Sequence, residues 1–445
     1  CDKIVIQVKG KREPVEVLIT DVLGAKYAAS NGSKTDFDVT VFRYIIDNGW
    51  CCGSDSRKAA HIVLRFKSTE SVCQNWVNVI NTLSTGGGSM KAPVLRDGLV
   101  EAPTRRKILV FVNPNSGPGL SVKIWKEHVE HLMEEANVAV TLLQTTHANH
   151  AHEYISSIED LLSYAGVATV GGDGILSEIV HGIDERADSV EVFRSVPLMP
   201  IPGGTSNGLV KSILHEDGIA YGIVNSIFVS LKGKPAPIDM TRVVTSSGKR
   251  HLSFLMMAWG IISDIDILSE TMRWMGEMRL YVAAVYFVLR NTPYHGRVSI
   301  LTATDGNSAM TEADLPPLSE PIVASDIESG GVDPDRNWTV LDGAFSLVLM
   351  VNSSHISSSV YSGPDSTMNS GYLDCYILKK GGVCSLVNLL LSFDSGDYVK
   401  DPNVLHYKAR AYRIEPDTSE KGIYSMDGEL IEYGPVQSLV RPGYA

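Results

Sequence analysis

An aspartate set among glycines, at the end of a β-branched run, is the part of this chain best suited to do chemistry. Val167-Ala168-Thr169-Val170 leads into Gly171-Gly172-Asp173-Gly174, and an amphipathic stretch follows. Glycines let the main chain approach a phosphate closely, because no Cβ intervenes and positive φ is open to them. The aspartate puts a carboxylate at the same spot. Such a loop suits an enzyme that holds a nucleoside triphosphate and takes the proton from a hydroxyl acceptor. Two loops of similar make-up accompany it, Asn113-Pro114-Asn115-Ser116-Gly117-Pro118-Gly119 and Pro202-Gly203-Gly204-Thr205-Ser206-Asn207-Gly208. One glycine-rich turn is usually only a turn; three at successive strand ends imply a shared ligand. There is no Walker pattern, and the glycine spacing is not that of a dinucleotide fold.

These loops need elements to hold them side by side. Ile108–Val112, Val138–Leu143, Val167–Val170 and Leu198–Ile201 read as strands, with helices over Val122–Ala136 and Ala148–Tyr164 between them. Alternation of this kind predicts a mainly parallel sheet, whose carboxyl ends carry ligand-binding loops and helix N-termini. From about residue 236 the pattern turns to strands, with one helical interruption near 269–291; Phe345–Val351 and Leu405–Ile414 are the clearest of them. A stretch from 305 to 342, acidic and free of lysine and arginine up to Asp335, is expected to be a mobile insertion. Residues 1–85 read as a small separate module of strands closed by one helix carrying Val72, Trp76, Val77, Ile80 and Leu83, a pattern similar to a pleckstrin-homology-like domain or to an accessory β-domain with no ligand. Residues 86–106, opening with Gly86-Gly87-Gly88-Ser89, read as a flexible linker. The expected fold is therefore an α/β nucleotide-binding lobe (107–235) with a mainly parallel sheet, a β-rich, sandwich-like second lobe (236–445), and the small N-terminal β-rich module.

At 445 residues the chain is too long for a single core. A formal charge of -12 argues against nucleic acid, which rewards basic surfaces. No apolar run approaches a membrane span and no signal peptide is visible. The six cysteines show no CxxC framework and are expected to be reduced thiols, which points to a cytoplasmic protein. The chain opens at Cys1, not methionine, so a trimmed N-terminus is expected, from which an address could be missing.

The three loops together resemble the diacylglycerol-kinase-like catalytic domain. Ala258-Trp259-Gly260-Ile261-Ile262-Ser263-Asp264-Ile265-Asp266-Ile267-Leu268-Ser269-Glu270, running on to Arg273-Trp274-Met275-Gly276-Glu277-Met278-Arg279, and the closing Tyr424-Ser425-Met426-Asp427-Gly428-Glu429 narrow the resemblance to sphingosine kinases. The likeness covers roughly residues 107–440. It implies transfer of the γ-phosphoryl of ATP, with Mg²⁺, to the primary hydroxyl of a sphingoid long-chain base. Asp173 is then the catalytic base. Nucleotide contacts are implied for Asn113, Pro114, Ser116, Gly117, Thr145, Asn149, Gly171, Gly172, Gly174, Glu178, Gly204, Thr205, Asn207, Arg273, Arg279, Asp427, Gly428 and Glu429. Glu178 is equally a first-turn acid favoured by its own helix dipole. Arg273 and Arg279, six residues apart, would not share one face of a regular helix. Lipid contacts are implied for Asp266, as partner of the amine, and for Ile261, Ile262, Leu268, Met275, Ala284 and Phe287 around the tail; Asp264 beside Asp266 is a lipid contact, a plain solvated acid or a help to the metal.

A carboxylate at the mouth of an apolar pocket separates an amine from an amide such as ceramide, since a buried charge without its partner is costly. His147, His150 and His152 lack a carboxylate or thiolate to complete a metal set, and the Mg²⁺ ligands stay unassigned. The chain departs from the family at Ser206, Pro118 and Met256. Two other readings stand beside this one: a ceramide or diacylglycerol kinase of the same superfamily, and a non-catalytic nucleotide-binding scaffold. The expected partners are the sphingoid base and, peripherally and reversibly, a membrane surface. Oligomeric state is not legible.

Overall fold

A strand buried on both faces reads as an unbroken apolar run, and Lys107–Val112 and Gly166–Gly171 are such strands. In the computed structural model, which describes residues 3–6, 14–30, 36–47, 56–85, 95–96, 99–117, 119–272, 275, 278–303, 310–320, 322 and 338–445, they form the centre of a four-stranded parallel sheet. The order is Ala139–Gln144, Lys107–Val112, Gly166–Gly171, Leu198–Pro202, every neighbouring pair parallel. All four carboxyl ends therefore lie along one edge. The edge strand Ala139–Gln144 alternates half-buried and exposed residues, as one uncovered face requires.

The expected helix over Ala148–Tyr164 is shorter, His150–Ser157. Arg186 Nη1 takes the carbonyls of Ile155 (2.7 Å) and Ile158 (2.6 Å), and the Ser156 and Ser157 hydroxyls turn back onto Glu153 O. Those carbonyls are then satisfied without another helical turn.

The second lobe is one antiparallel sheet system of ten strands among the described residues. Trp338–Val351 and Val404–Pro416 are long enough to pair with Tyr294–Thr302 through one half and with Leu373–Lys379 through the other. The sheet so folds over itself around Trp259, Tyr294, Phe345, Tyr412 and Tyr424. The expected single helical interruption is two helices, Ile261–Glu270 and Met278–Arg290. Their inner faces share an apolar core with Val383–Phe393 and with the Asp173–Asp184 helix of the first lobe.

Two stretches read as mobile or separate make contacts with the body of the protein where they are described. Within the insertion, residues 310–322 are anchored where described. The fully buried Arg413 donates to the carbonyls of Glu320, Pro316 (2.6 Å) and Pro317 (3.0 Å), while Leu315 and Ile322 sit on the sheet with Trp338. A guanidinium has five donors and needs such a ring of acceptors when buried. The last part of the stretch, from Trp338, is simply the start of a long strand.

Nor does the N-terminal module stand apart. Leu23 and Tyr44 lie in one apolar cluster with Trp125, Phe228 and Leu231 of the nucleotide lobe. Tyr44 Oη donates to Glu135 (2.8 Å), and Lys232 Nζ donates to Val22 O (2.9 Å) and to Ser84 O. Burial pushes Lys232 down to about 8. The linker turns back as well, since Leu95–Arg96 pairs with Leu99–Val100 and Asn78 Nδ2 donates to Val100 O at 2.8 Å. Its opening glycines lie outside the described residues. The module's own strands surround the helix Glu70–Ser84, which buries Cys73, Val77 and Ile80. Trp76, expected on that buried face, is half exposed and stacked on Phe66. Cys73, Cys375 and Cys384 are free thiols.

Candidate active site

The three glycine loops meet. Asn113 N donates to Val170 O (3.2 Å), Gly203 N to Gly171 O (2.8 Å), and Gly172 N to Ser116 Oγ (3.4 Å). An added Cβ on Gly117 would lie 3.1 Å from Gly204 C, and one on Gly204 only 2.4 Å from Gly172 Cα. Glycine is thus required here by contact between backbones. Asn207, with φ 53°, closes the third loop on itself: its Oδ1 accepts from Gly203 N and Gly204 N, and its Nδ2 donates to Gly204 O (2.7 Å). Thr205 rides on this turn, and the Pro118 position lies outside the described residues.

Asp173 begins the helix that follows the second loop and is buried. Its Oδ2 accepts from Gly208 N (2.8 Å) and its Oδ1 from Leu209 N (3.4 Å), the first turn of the helix after the third loop. Burial raises its carboxyl to about 6; the two amides oppose that rise and the Asp427 carboxylate adds to it. At neutral pH such a group is mostly ionised yet close enough to its midpoint to exchange a proton.

The far end of the chain also arrives here. Glu429 Oε1 comes to 3.6 Å of where a Cβ on Gly174 would stand. Asp427, expected to touch nucleotide, has its carboxylate occupied instead. It accepts from Ser253 Oγ (2.7 Å), Phe254 N (3.0 Å), Leu255 N (3.1 Å) and Met256 N (2.9 Å), with Gly428 following at φ 87°. The reason is local: residues 253–256 turn between two strands and leave three amides pointing one way. Met256, one of the departures from the family, is buried in this turn.

Glu178 proves a capping residue of a neighbouring helix. Its carboxylate takes Asn149 N (3.0 Å) and Ala151 N (3.1 Å), which orders Asn149, at φ 64°, ahead of the helix His150–Ser157. Thr145 is buried beside it, its N–H on Val112 O (2.9 Å). His147 and His150 stack at 4.8 Å and share the Thr146 hydroxyl, His147 also pairing with Glu153 (3.0 Å) and His150 taking Thr146 N (3.1 Å), while His152 goes to Glu185 (3.1 Å).

The paired acids of the helix Ile261–Glu270 face different ways, as residues two apart on a helix must. Asp266 Oδ2 accepts from Ser425 Oγ, two residues from Asp427. Asp264, expected near the lipid head group, is taken by the Tyr294 hydroxyl; burial raises its carboxyl and that bond opposes the rise. Ile261, Ile262 and Leu268 share the inter-lobe apolar core with Ala284 and Phe287. Met275 is half-buried in the link between helices. Arg279 is buried at the start of the second helix, and Arg273 lies outside the described residues.

Two contributors escaped the sequence reading. Tyr221 lies close enough to Asp173 and to the Asn207 and Ser358 side chains to interact with all three; burial first, then Asp173, pushes its phenol to about 12. Nothing in the sequence marks it. The second is the run Asn352-Ser353-Ser354-His355-Ile356-Ser357-Ser358, which crosses from the β-rich lobe to the third loop. A serine cluster directly after a buried strand was the available signal.

A parallel sheet carrying three touching glycine loops, joined to a β-rich lobe that returns an acid to the second of them, defines the class. Residues 107–243 match the family described as diacylglycerol kinase catalytic domain, and 257–445 match the YegS C-terminal NAD kinase beta sandwich-like domain. A solved structure described as a putative diacylglycerol kinase from Bacillus anthracis str. Sterne shares the fold, with a TM-score of 0.52 at 19% identity over 77% of this chain and 96% of that one.

Nearer relatives sharpen the class. Sphingosine kinase 2 of Arabidopsis thaliana is 32% identical over 350 residues, covering 76% of this chain and 72% of the relative. Sphingosine kinase 1 of Mus musculus is 29% identical over 366 residues, covering 78% and 91%. The chain belongs to the sphingosine kinase family.

Proposed function

We propose that the protein transfers the γ-phosphoryl group of ATP to the primary hydroxyl of a sphingoid long-chain base, giving the 1-phosphate. The observation that carries this reading is the buried Asp173 carboxylate, raised to about 6, at the junction of three glycine loops. The loop amides and the adjoining helix N-termini suit the triphosphate. The acceptor oxygen bonds to the γ-phosphorus as the bond to the β–γ bridging oxygen breaks; ADP leaves and the hydroxyl proton passes to Asp173. Mg²⁺ supplies charge neutralisation when bound with the nucleotide. Among the described residues no cluster of three or more His, Cys, Asp or Glu is arranged for a metal. Arg279 and Glu429 are assigned to the nucleotide side of the site.

Asp266 is assigned to the substrate amine, and the apolar core around Ile262, Leu268, Ala284 and Phe287 to the tail. Transfer of labelled phosphate from Mg-ATP to sphingosine, ceramide and diacylglycerol in parallel tests the reading. Label on sphingosine alone is expected. Asp266→Asn is expected to raise the KM for sphingosine at least tenfold while the KM for ATP stays put, because a charge pair becomes a neutral contact. Label on ceramide or diacylglycerol would overturn the substrate, and no transfer at all would favour a scaffold.

Membrane contact is assigned to the outer faces of two touching helices. Met278, Tyr281, Val285 and Leu289 (73% exposed) line one, and Val387 and Leu391 (81% exposed) the other. Both helices also bury apolar residues inward, so they are apolar nearly all round, which water does not favour. No described helix is long and apolar enough to cross a membrane. Sedimentation with phosphatidylcholine vesicles is expected to carry the protein down, and Leu289→Glu with Leu391→Glu to leave it in solution with transfer to detergent-dispersed substrate intact. Unchanged sedimentation of that double variant would refute the assignment.

A further inference from the structure

Asp173 depends on a helix that the other lobe pins in place. The two amides it accepts from, Gly208 and Leu209, open the helix Gly208–Glu216. That first turn is pressed against residues 355–358 of the β-rich lobe. A Cβ on Gly208 would stand 2.7 Å from both the carbonyl carbon and oxygen of Ile356 and 2.9 Å from His355 O. Ser358 N donates to Ser206 O at 2.6 Å, and Asn207 forms an isolated bridge with Ser357. One turn along the same helix, the fully buried Ser212 closes a reciprocal clamp: its hydroxyl donates to His355 O (3.3 Å) and accepts from His355 N (3.0 Å).

We propose that Ser212 is a positioning residue, through which the lipid-binding lobe holds the Gly208 and Leu209 amides against the catalytic carboxylate. The inference rests on the reading of Asp173 as the base. Only those amides and the carboxylate's own main chain favour ionisation of Asp173, against burial and the Asp427 charge. Without the clamp the first turn draws back, the amide bonds lengthen, and the carboxyl ionises at higher pH. Asp427 and Tyr221 face Asp173 from other elements, and Lys211 approaches the Tyr221 ring at 5.7 Å. Around the clamp lie Tyr361 and the two histidines, with His215 4.9 Å from His355. Burial holds His355 down to about 4, so it stays neutral in the working range.

The test is the pH dependence of labelled transfer from pH 5 to 9 at saturating ATP, in the full chain. Wild type is expected to gain activity through a limb near pH 6. Ser212→Ala is expected to move that limb up by about one pH unit, a loss about fivefold greater at pH 6 than at pH 8.5, with the KM for ATP unchanged. Ser212→Thr, which keeps the hydroxyl, restores the limb, and His215→Gln leaves it in place. Ser358→Pro removes the neighbouring N–H from Ser206 O at this half-buried position of the seam and moves the limb the same way, should the buried variant not fold. Loss by one factor at every pH, in either variant, overturns the inference. A wild-type limb that is absent, or that survives Asp173→Asn, brings down the assignment of the base itself and the inference with it.

Discussion

Asp173→Asn is expected to lower kcat by about a hundred- to ten-thousandfold while leaving ATP binding nearly intact, the range typical of losing a positioned general base. The amide is close to isosteric and its oxygen can still accept from Gly208 N, so the loops keep their arrangement. The same change is expected to stabilise the fold at pH 7.5. Asp173 has its folded value raised from 3.8 to about 6. Its contribution to stability is therefore whole below about pH 3.8 and is lost as pH rises through about 6. The gap corresponds to on the order of 3 kcal/mol that the ionised wild type forgoes and the asparagine variant does not. Labelled transfer and thermal melting at pH 7.5, measured together, check both halves. Retained turnover would remove Asp173 as the base. A lower melting temperature would mean that its ionised form is stabilising, contrary to what burial implies.

The second large effect is expected at Gly204. A methyl group there would stand 2.4 Å from Gly172 Cα and 2.8 Å from Gly172 N, and both neighbours are main chain. No side-chain rotation relieves that contact, so the second and third loops must separate. Gly204→Ala is expected to raise the KM for ATP more than tenfold and to lower kcat/KM at least a hundredfold. The loops lie at the edge of the sheet, so the melting temperature should fall only modestly. Gly248→Ala is the control. Gly248 has φ +82° with nothing within 4 Å, so it pays about 1 kcal/mol of backbone strain and no activity. A Gly204→Ala enzyme with the wild-type KM for ATP would show that the nucleotide does not depend on the closed loops.

How far the site was legible varied with the kind of residue. The loops could be read because glycine and aspartate at a strand end are local signals, and strand periodicity is local too. Glu429 could be placed only through family likeness, since some 255 residues separate it from Gly174. Asp264 and Asp266 look interchangeable in a string of letters, yet a helix sends them to Tyr294 and to Ser425 respectively. Asp427 and Glu178 have the residue type of ligands, but each also takes amides of segments that the sequence does not show meeting them. The N-terminal module read as separate because its strands and closing helix make a self-contained pattern ahead of a glycine tract. Its docking rests on Leu23, Tyr44 and Lys232, which are ordinary residues until they face one another.

By itself, then, the sequence determined the alternation of strands and helices, the three glycine loops, the carboxylate among them and the family. These follow from short-range periodicity and from residues whose backbone freedom or charge has few other uses. Only the tertiary structure decided which carboxylates remain available, how far Asp173 is raised, and that helix Gly208–Glu216 is held from the other lobe. Those outcomes depend on burial and on which amides lie within about 3 Å, and both are set by contacts between segments far apart in the chain.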